Sequence, residues 1–167
     1  MKRIILFTLV LLFAFSTTAF AQEEKAYEIG GYLIVTFPDD WEVYQNNHQV
    51  HSSLMLAAIS PNKRSELGIY LFDNQHRNID DVITETQIGM SLDNAETLEE
   101  SDKLYIDNYE ARMLLYSRPI EKSLIQYFLM YGIITDQKCY RIEAYYDNLK
   151  TDRKTIDKII SSIKILK

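Results

Sequence analysis

Residues 36–44 read TFPDDWEVY, and the way this stretch is read decides the fold. An apolar run, Tyr32-Leu-Ile-Val-Thr-Phe37, meets a proline and two acids and then resumes with the chain's only tryptophan. The run alternates two faces and reads as a strand. Pro38 supplies a fixed φ for the first central position of a tight turn, and Asp39 and Asp40 are residues that bond nearby backbone amides. The break is therefore a turn. Trp41–Tyr44 reads as the continuation or the partner of the strand, with Trp41 folded back onto the core as its anchor.

Outward toward the N-terminus lies a short polar lead, Gln22 to Glu28. Before it, Lys2 and Arg3 precede an apolar run from Ile4 to Phe15, then small residues lead to Ala19-Phe20-Ala21. That order matches a secretory signal peptide with an A-x-A cleavage site over residues 1–21. The run is shorter than the ~20 residues a spanning helix needs. No cysteine follows the site, so there is no lipobox, and no membrane span is expected in the mature chain. A single α+β domain over 22–167, periplasmic or secreted, is the expectation. Cys139 is alone and forms no intrachain disulfide; it reads as a small hydrophobe in a strand, with an intermolecular bond as the alternative. The whole chain has a net charge of −6, and the leader holds two bases and no acid, so the remainder is more acidic still. Such a field repels phosphate backbones, which argues against nucleic acid as a partner.

Outward toward the C-terminus, strands are expected at Leu54–Ile59 and Leu67–Phe72, joined by the turn-rich stretch over 60–65. From Asn78 the period changes: Ile79, Val82, Ile83, Thr86 and Met90 share one helical face, Asn78 is a cap, and Asp80 and Asp81 suit the positive end of a helix dipole. This predicts a helix over about 79–92. The acidic run over 96–102 lacks the alternating oxygens and central glycine of a calcium loop and reads as a solvated strand edge or turn. Three long strands follow, 109–118, 123–135 and 138–146, with Asp107-Asn108 and Asp136-Gln137 as turns and Pro119 as an interruption. Both faces of the middle strand are apolar, so both are expected to be covered. Thr151 caps a last helix whose Ile156, Ile159, Ile160 and Ile163 follow i, i+3, i+4, i+7 spacing. The result is an antiparallel sheet of about six or seven strands between helical layers.

The sequence holds no G-x-x-x-x-G-K, G-x-S-x-G, H-E-x-x-H or paired C-x-x-C motif, so no enzyme and no cofactor is expected. His48 and His51 could offer two imidazoles to a metal, with Asp73 or His76 joining from a neighbouring loop, but two histidines in a polar stretch read first as solvated loop residues. Tyrosines gather in the last strands. Packing under a helix is the plain reading of Tyr127, Tyr131, Tyr140, Tyr145 and Tyr146; the sharper one is a partner or ligand surface made of Trp41, Tyr127, Tyr131 and Tyr145.

Phe37-Pro38-x-x-Trp41, the run YRIEAY over 140–145 and the run IISSI over 159–163 together resemble the PsbP-like fold family, which includes PsbP, the Ran-binding protein Mog and DcrB-like periplasmic proteins. The likeness spans about residues 29 to 166. It implies an α/β/α sandwich around an antiparallel sheet, and an accessory or assembly role without catalysis. No Ran-contacting or manganese-related position maps onto this chain. The functional expectation is thus an exported protein acting through contacts with an envelope protein; the alternative is a binding module for a small apolar or lipidic ligand.

Overall fold

The computed structural model of the chain describes residues 23–45, 53–73, 78–121, 124–136 and 138–166. The leader and all three histidines lie outside these residues, and so does the metal reading built on His48, His51 and His76. Ten strands form two antiparallel sheets. The small one has the order β1-β2-β10, from β1 (Glu24–Ile29), β2 (Leu33–Pro38) and β10 (Lys164–Ile165). The large one has seven strands in the order β3-β4-β5-β9-β8-β7-β6. Its members are β3 (Glu42–Gln45), β4 (Leu54–Ile59), β5 (Ser65–Asp73), β6 (Glu96–Ile106), β7 (Tyr109–Glu121), β8 (Leu124–Ile134) and β9 (Lys138–Tyr146). Two helices complete the described fold, α1 (Ile79–Leu92) and α2 (Thr151–Ser161).

The opening stretch is the corner where the chain leaves one sheet for the other. β2 pairs with β1 and β10, whereas β3 pairs only with β4, so Trp41–Tyr44 is neither the continuation nor the partner of the preceding strand. The Trp41 amide donates to the Pro38 carbonyl at 3.1 Å. Pro38 is thus the first residue of the turn, and Asp39 and Asp40 take the central positions expected to begin with proline. The Asp39 amide points back instead, donating to the Glu23 carbonyl at 3.0 Å. Proline fits there because it ends β2 beyond Leu33 and Ile34, the residues that β10 pairs, where no ladder amide is needed.

Alternation along β8 separates two cores. Leu129, Tyr131 and Ile133 face inward with Ile142 and Ala144 of β9, Leu56 of β4, and Val35, Phe37 and Trp41. Ile156, Ile159, Ile160 and Ile163 close this inner core, each at most 4% exposed. Trp41 is 7% exposed, its ring centroid 5.8 Å from that of Phe37. Ser162 fastens the end of α2 to the small sheet: its hydroxyl accepts from the Thr36 amide at 2.9 Å and donates to the Ile159 carbonyl at 2.6 Å. On the opposite, outer face, Phe128 and Met130 pack with Leu114, Tyr116 and Cys139 under Val82 and Ile83 of α1. Cys139 is 1% exposed in this layer.

Against the expected helical layers, the described cover of the large sheet is unequal. The small sheet shares the inner face with α2, and on the outer face α1 lies mainly over β7 and β8, its cluster reaching Cys139 of β9. The reason is visible in β1, whose exposed polar side chains disguise a strand as a lead, so that a second sheet was missed. α1 matches its expected bounds and starts with a reciprocal capping box between Asn78 and Asp81. α2 does not use Thr151 as its cap. The Asn148 side chain accepts from the Lys150 and Thr151 amides, both at 3.0 Å, in the role expected of Thr151. β6 is the solvated edge strand, and Asp107 and Asn108 turn it into β7 with φ of 48° and 69°. Pro119 does not stop β7; the register shifts between Pro119 and Glu121, and the strand absorbs the proline as an irregularity.

Candidate functional site

A sheet face that no described helix covers must show what it presents, and among the described residues the outer face over β3, β4 and the adjoining parts of β5 and β9 is such a region. Cross-strand register arranges it as a grid. Ile59, Glu66 and Tyr145 lie side by side in one row, Ala57, Gly68 and Glu143 in the next, and Leu54, Tyr70 and Arg141 in the third. Phe72 follows beyond Tyr70, and Glu42 and Tyr44 of β3 stand at the outer edge beside Ile59 and Ala57. Alternation places these positions, with the register shift between Leu54 and Leu56 setting Leu54 beside Tyr70, while Leu56, Ala58, Leu67, Ile69, Ile142 and Ala144 take the inner core.

Ala57 and Gly68 of the middle row are small and leave a depression of about 150 Å³. Its walls include Ala57, Ile59, Glu66, Tyr70, Glu143 and Tyr145. Gly68 forms the floor, and a Cβ placed there would meet the Tyr70 ring at 3.0 Å. Arg141 lies beside the depression with its guanidinium 5.1 Å from the Tyr70 ring centre and 5.3 Å from that of Phe72, while its Nε is 2.9 Å from Glu143 Oε1. Both partners of that ion pair are largely shielded, at 25% and 15% side-chain exposure, so it holds a defined geometry. Tyr145 packs on Phe128 with ring centroids 4.8 Å apart. Burial, reinforced by the charge of Glu143 and by Tyr70, pushes the Tyr145 hydroxyl up to about 12. Burial first and then Glu143 raise Tyr70 as well, whose hydroxyl is hydrogen-bonded to that carboxylate, against a smaller opposing effect of Arg141. The surroundings are electronegative, and these phenols stay neutral donors at any ordinary pH.

The four residues named from sequence are not brought together. Tyr127 and Tyr131 share the inner face four residues apart on β8, Trp41 belongs to the same inner core at the corner, and Tyr145 alone reaches the outer face. Tyr127 stacks on Tyr146 at 5.6 Å. Tyr131 is 8% exposed, its hydroxyl 3.5 Å from Asp157, which holds Arg153 at 2.7 Å. Burial, then the Asp157 charge, lifts Tyr131 to about 12. This nest ties α2 to the sheet. Tyr70, Phe72, Arg141 and Glu143 were not singled out from sequence, although the glycine inside β5 and the matching alternation over 66–72 and 141–145 carried the signal.

A second concavity lies between α2 and the small sheet, an open groove of about 710 Å³. Thr36, Pro38, Ile159 and Ser162 line it, with Lys154 and Lys158 among its charged residues. Lys158 is ion-paired with Glu24 across it. Among the described residues no group of three or more His, Cys, Asp or Glu is placed to hold a metal ion. No described helix is long and apolar enough to cross a membrane.

No family model matches the chain, and no curated protein does. Solved structures do. A cyanobacterial PsbP (CyanoP) from Synechocystis superposes with a TM-score of 0.68 at 10% identity, covering 89% of this chain and 95% of that one. LpqN of Mycobacterium tuberculosis, described as involved in cell envelope biogenesis, gives 0.61 at 11% identity over 86% of this chain and 90% of its own. The Ran-binding protein Mog1p of Saccharomyces cerevisiae gives 0.61 at 7% identity, covering 87% and 97%. The likeness to the PsbP-like fold is therefore shown, at the level of fold.

Proposed function

We propose that this chain is an exported, non-enzymatic accessory or assembly protein that works through protein contacts, and that its contact surface is the uncovered half of the outer sheet face. The observation that carries this is the strip itself: Tyr44 is exposed, and Tyr70, Phe72 and Tyr145 are half-buried at the border of the cluster that α1 covers. Aromatic and arginine side chains standing together on a rigid sheet are the composition of contact hot spots. The signal-peptide pattern of residues 1–21 supports export. Two proteins of the same fold are described by their contacts or setting, one as Ran-binding and one as involved in envelope biogenesis, and both fit a protein-contact role. The test is co-purification from the native envelope. The wild-type chain should retain a defined protein, identified by mass spectrometry, and a Tyr70→Ser/Phe72→Ser variant with unchanged far-UV circular dichroism should lose it. Equal recovery by both proteins would remove the strip from the account.

A second reading rests on the groove beside α2. Its volume lies in the range of ligand sites, and Pro38 and Ile159 give it an apolar lining. A small apolar or lipidic ligand there would appear as a stoichiometric adduct in native mass spectrometry of protein from its own envelope. A clean unliganded mass across preparations argues the reverse.

A further inference from the structure

We infer that the depression over Gly68 is a receptor for an arginine side chain on an extended segment of the partner protein. The inference rests on the contact-surface reading above and names the chemistry that surface selects. Three features of the depression converge on a guanidinium. Its shape comes first: about 150 Å³, lined by Ala57 and Gly68 with the Tyr70 ring packed against the glycine, takes the end of one long side chain. Its walls come second. Tyr70 and Tyr145 present ring surface, and Glu66 and Glu143 present carboxylates, while no basic residue lines the depression among the described residues. Aromatic faces with adjacent carboxylates attract a cation through the ring quadrupole and through charge-assisted hydrogen bonds.

The third feature is that the fold already performs this recognition once, in the neighbouring row. Arg141 lies over the Tyr70 and Phe72 rings and pairs with Glu143. The depression repeats the same pieces on the other side of the glycine, with Glu66 and Tyr145 in directly paired positions on β5 and β9. A second guanidinium would lie parallel to the sheet between the two tyrosines, with Glu66 at its exposed side and Glu143 shared with Arg141. Arginine suits this better than lysine, because its planar fork stacks on a ring and meets a carboxylate at two points. The acidity of the whole chain, a net charge of −6, would draw a basic segment to this face.

The test separates the charge from the shape. The 15N-labelled protein purified from its host is titrated with N-acetyl-arginine amide and, in parallel, with N-acetyl-citrulline amide, which has nearly the same outline and no charge. Saturable shifts of the Gly68, Tyr70, Glu143 and Tyr145 amides are expected with arginine, and binding about tenfold weaker with citrulline. Glu66→Gln should weaken the arginine shifts while leaving the rest of the spectrum in place, and Gly68→Val, whose side chain would push the Tyr70 ring off the glycine, should abolish them. Equal shifts with both amides, or none with arginine, overturns the inference. Its failure is distinguishable from failure of the contact surface. A photo-cross-linker at position 72 that captures a partner equally in wild type and Glu66→Gln keeps the surface and rejects the arginine receptor; no adduct at position 72 rejects the surface itself.

Discussion

Replacing Trp41 by alanine probes the corner on which the two-sheet arrangement turns. The indole is 7% exposed and lies against Phe37, itself fully buried, at the point where the chain passes from the small sheet to the large one. A side chain of this size removes about 150–250 Å² from water, worth roughly 4–6 kcal/mol at ~25 cal/mol/Å². Partial collapse of the cavity and the less than fully extended unfolded chain reduce that figure, and buried Trp-to-Ala changes cost about 3–5 kcal/mol. A domain of this size has about 5–15 kcal/mol in total, so the variant should sit near the threshold of folding. Urea unfolding followed by far-UV circular dichroism reads the change, since the substitution removes the only tryptophan fluorophore. The midpoint should fall by about a fifth or more with the slope unchanged. Trp41→Phe, which keeps a ring against Phe37, should recover most of the loss. A loss under about 1 kcal/mol for Trp41→Ala, with an unchanged slope, would refute the anchoring argument, because that is the range of surface substitutions.

Ser162→Ala removes the hydroxyl shared by Thr36 and Ile159 and leaves the Thr36 amide without its acceptor; a loss of about 1–2 kcal/mol is expected, with faster hydrogen exchange at that amide. Asn78→Ala breaks the capping box of α1 and should cost about 1 kcal/mol, read in the same urea assay. Tyr131, Tyr140 and Tyr145 are raised to about 12 in the fold, mainly by burial, against an ordinary value of 10.0. The folded state therefore holds these protons more tightly than the unfolded one. The associated stability is fully present below pH ~10 and is lost as pH rises through about 12. The urea midpoint should fall steadily across that window, and a constant midpoint, with all tyrosines titrating together near 10 by ultraviolet absorbance, would contradict the burial described for them.

The sequence carried the large sheet well because its strands alternate visibly. Leu54–Ile59 and Lys138–Tyr146 were legible to the residue, and α1 was announced by its period and its Asn78 cap. β1 was not legible, because Glu24, Lys25, Ala26 and Glu28 are exposed and a strand with one side of charged residues looks like a tail. The two-residue β10 carries no pattern at all. Missing these concealed the small sheet, and with it the fact that Trp41 enters a different sheet from Phe37. The tyrosine surface was half legible. Residue type located Tyr127, Tyr131 and Tyr145, but face depends on strand parity: neighbours in sequence such as Tyr145 and Tyr146 lie on opposite faces, and only cross-strand register places Tyr145 with Glu66 and Tyr70.

Placing a photo-reactive side chain at one position at a time tests the account most directly. Positions 44 and 72 lie on the uncovered outer strip, position 88 is an exposed site on α1, and position 155 lines the groove beside α2. Irradiation of cells that produce the chain should yield one and the same protein adduct from 44 and 72, and none from 88 or 155. Adducts confined to 88 or 155, with 44 and 72 silent, would contradict the assignment of the bare half of the sheet as the surface through which this protein acts.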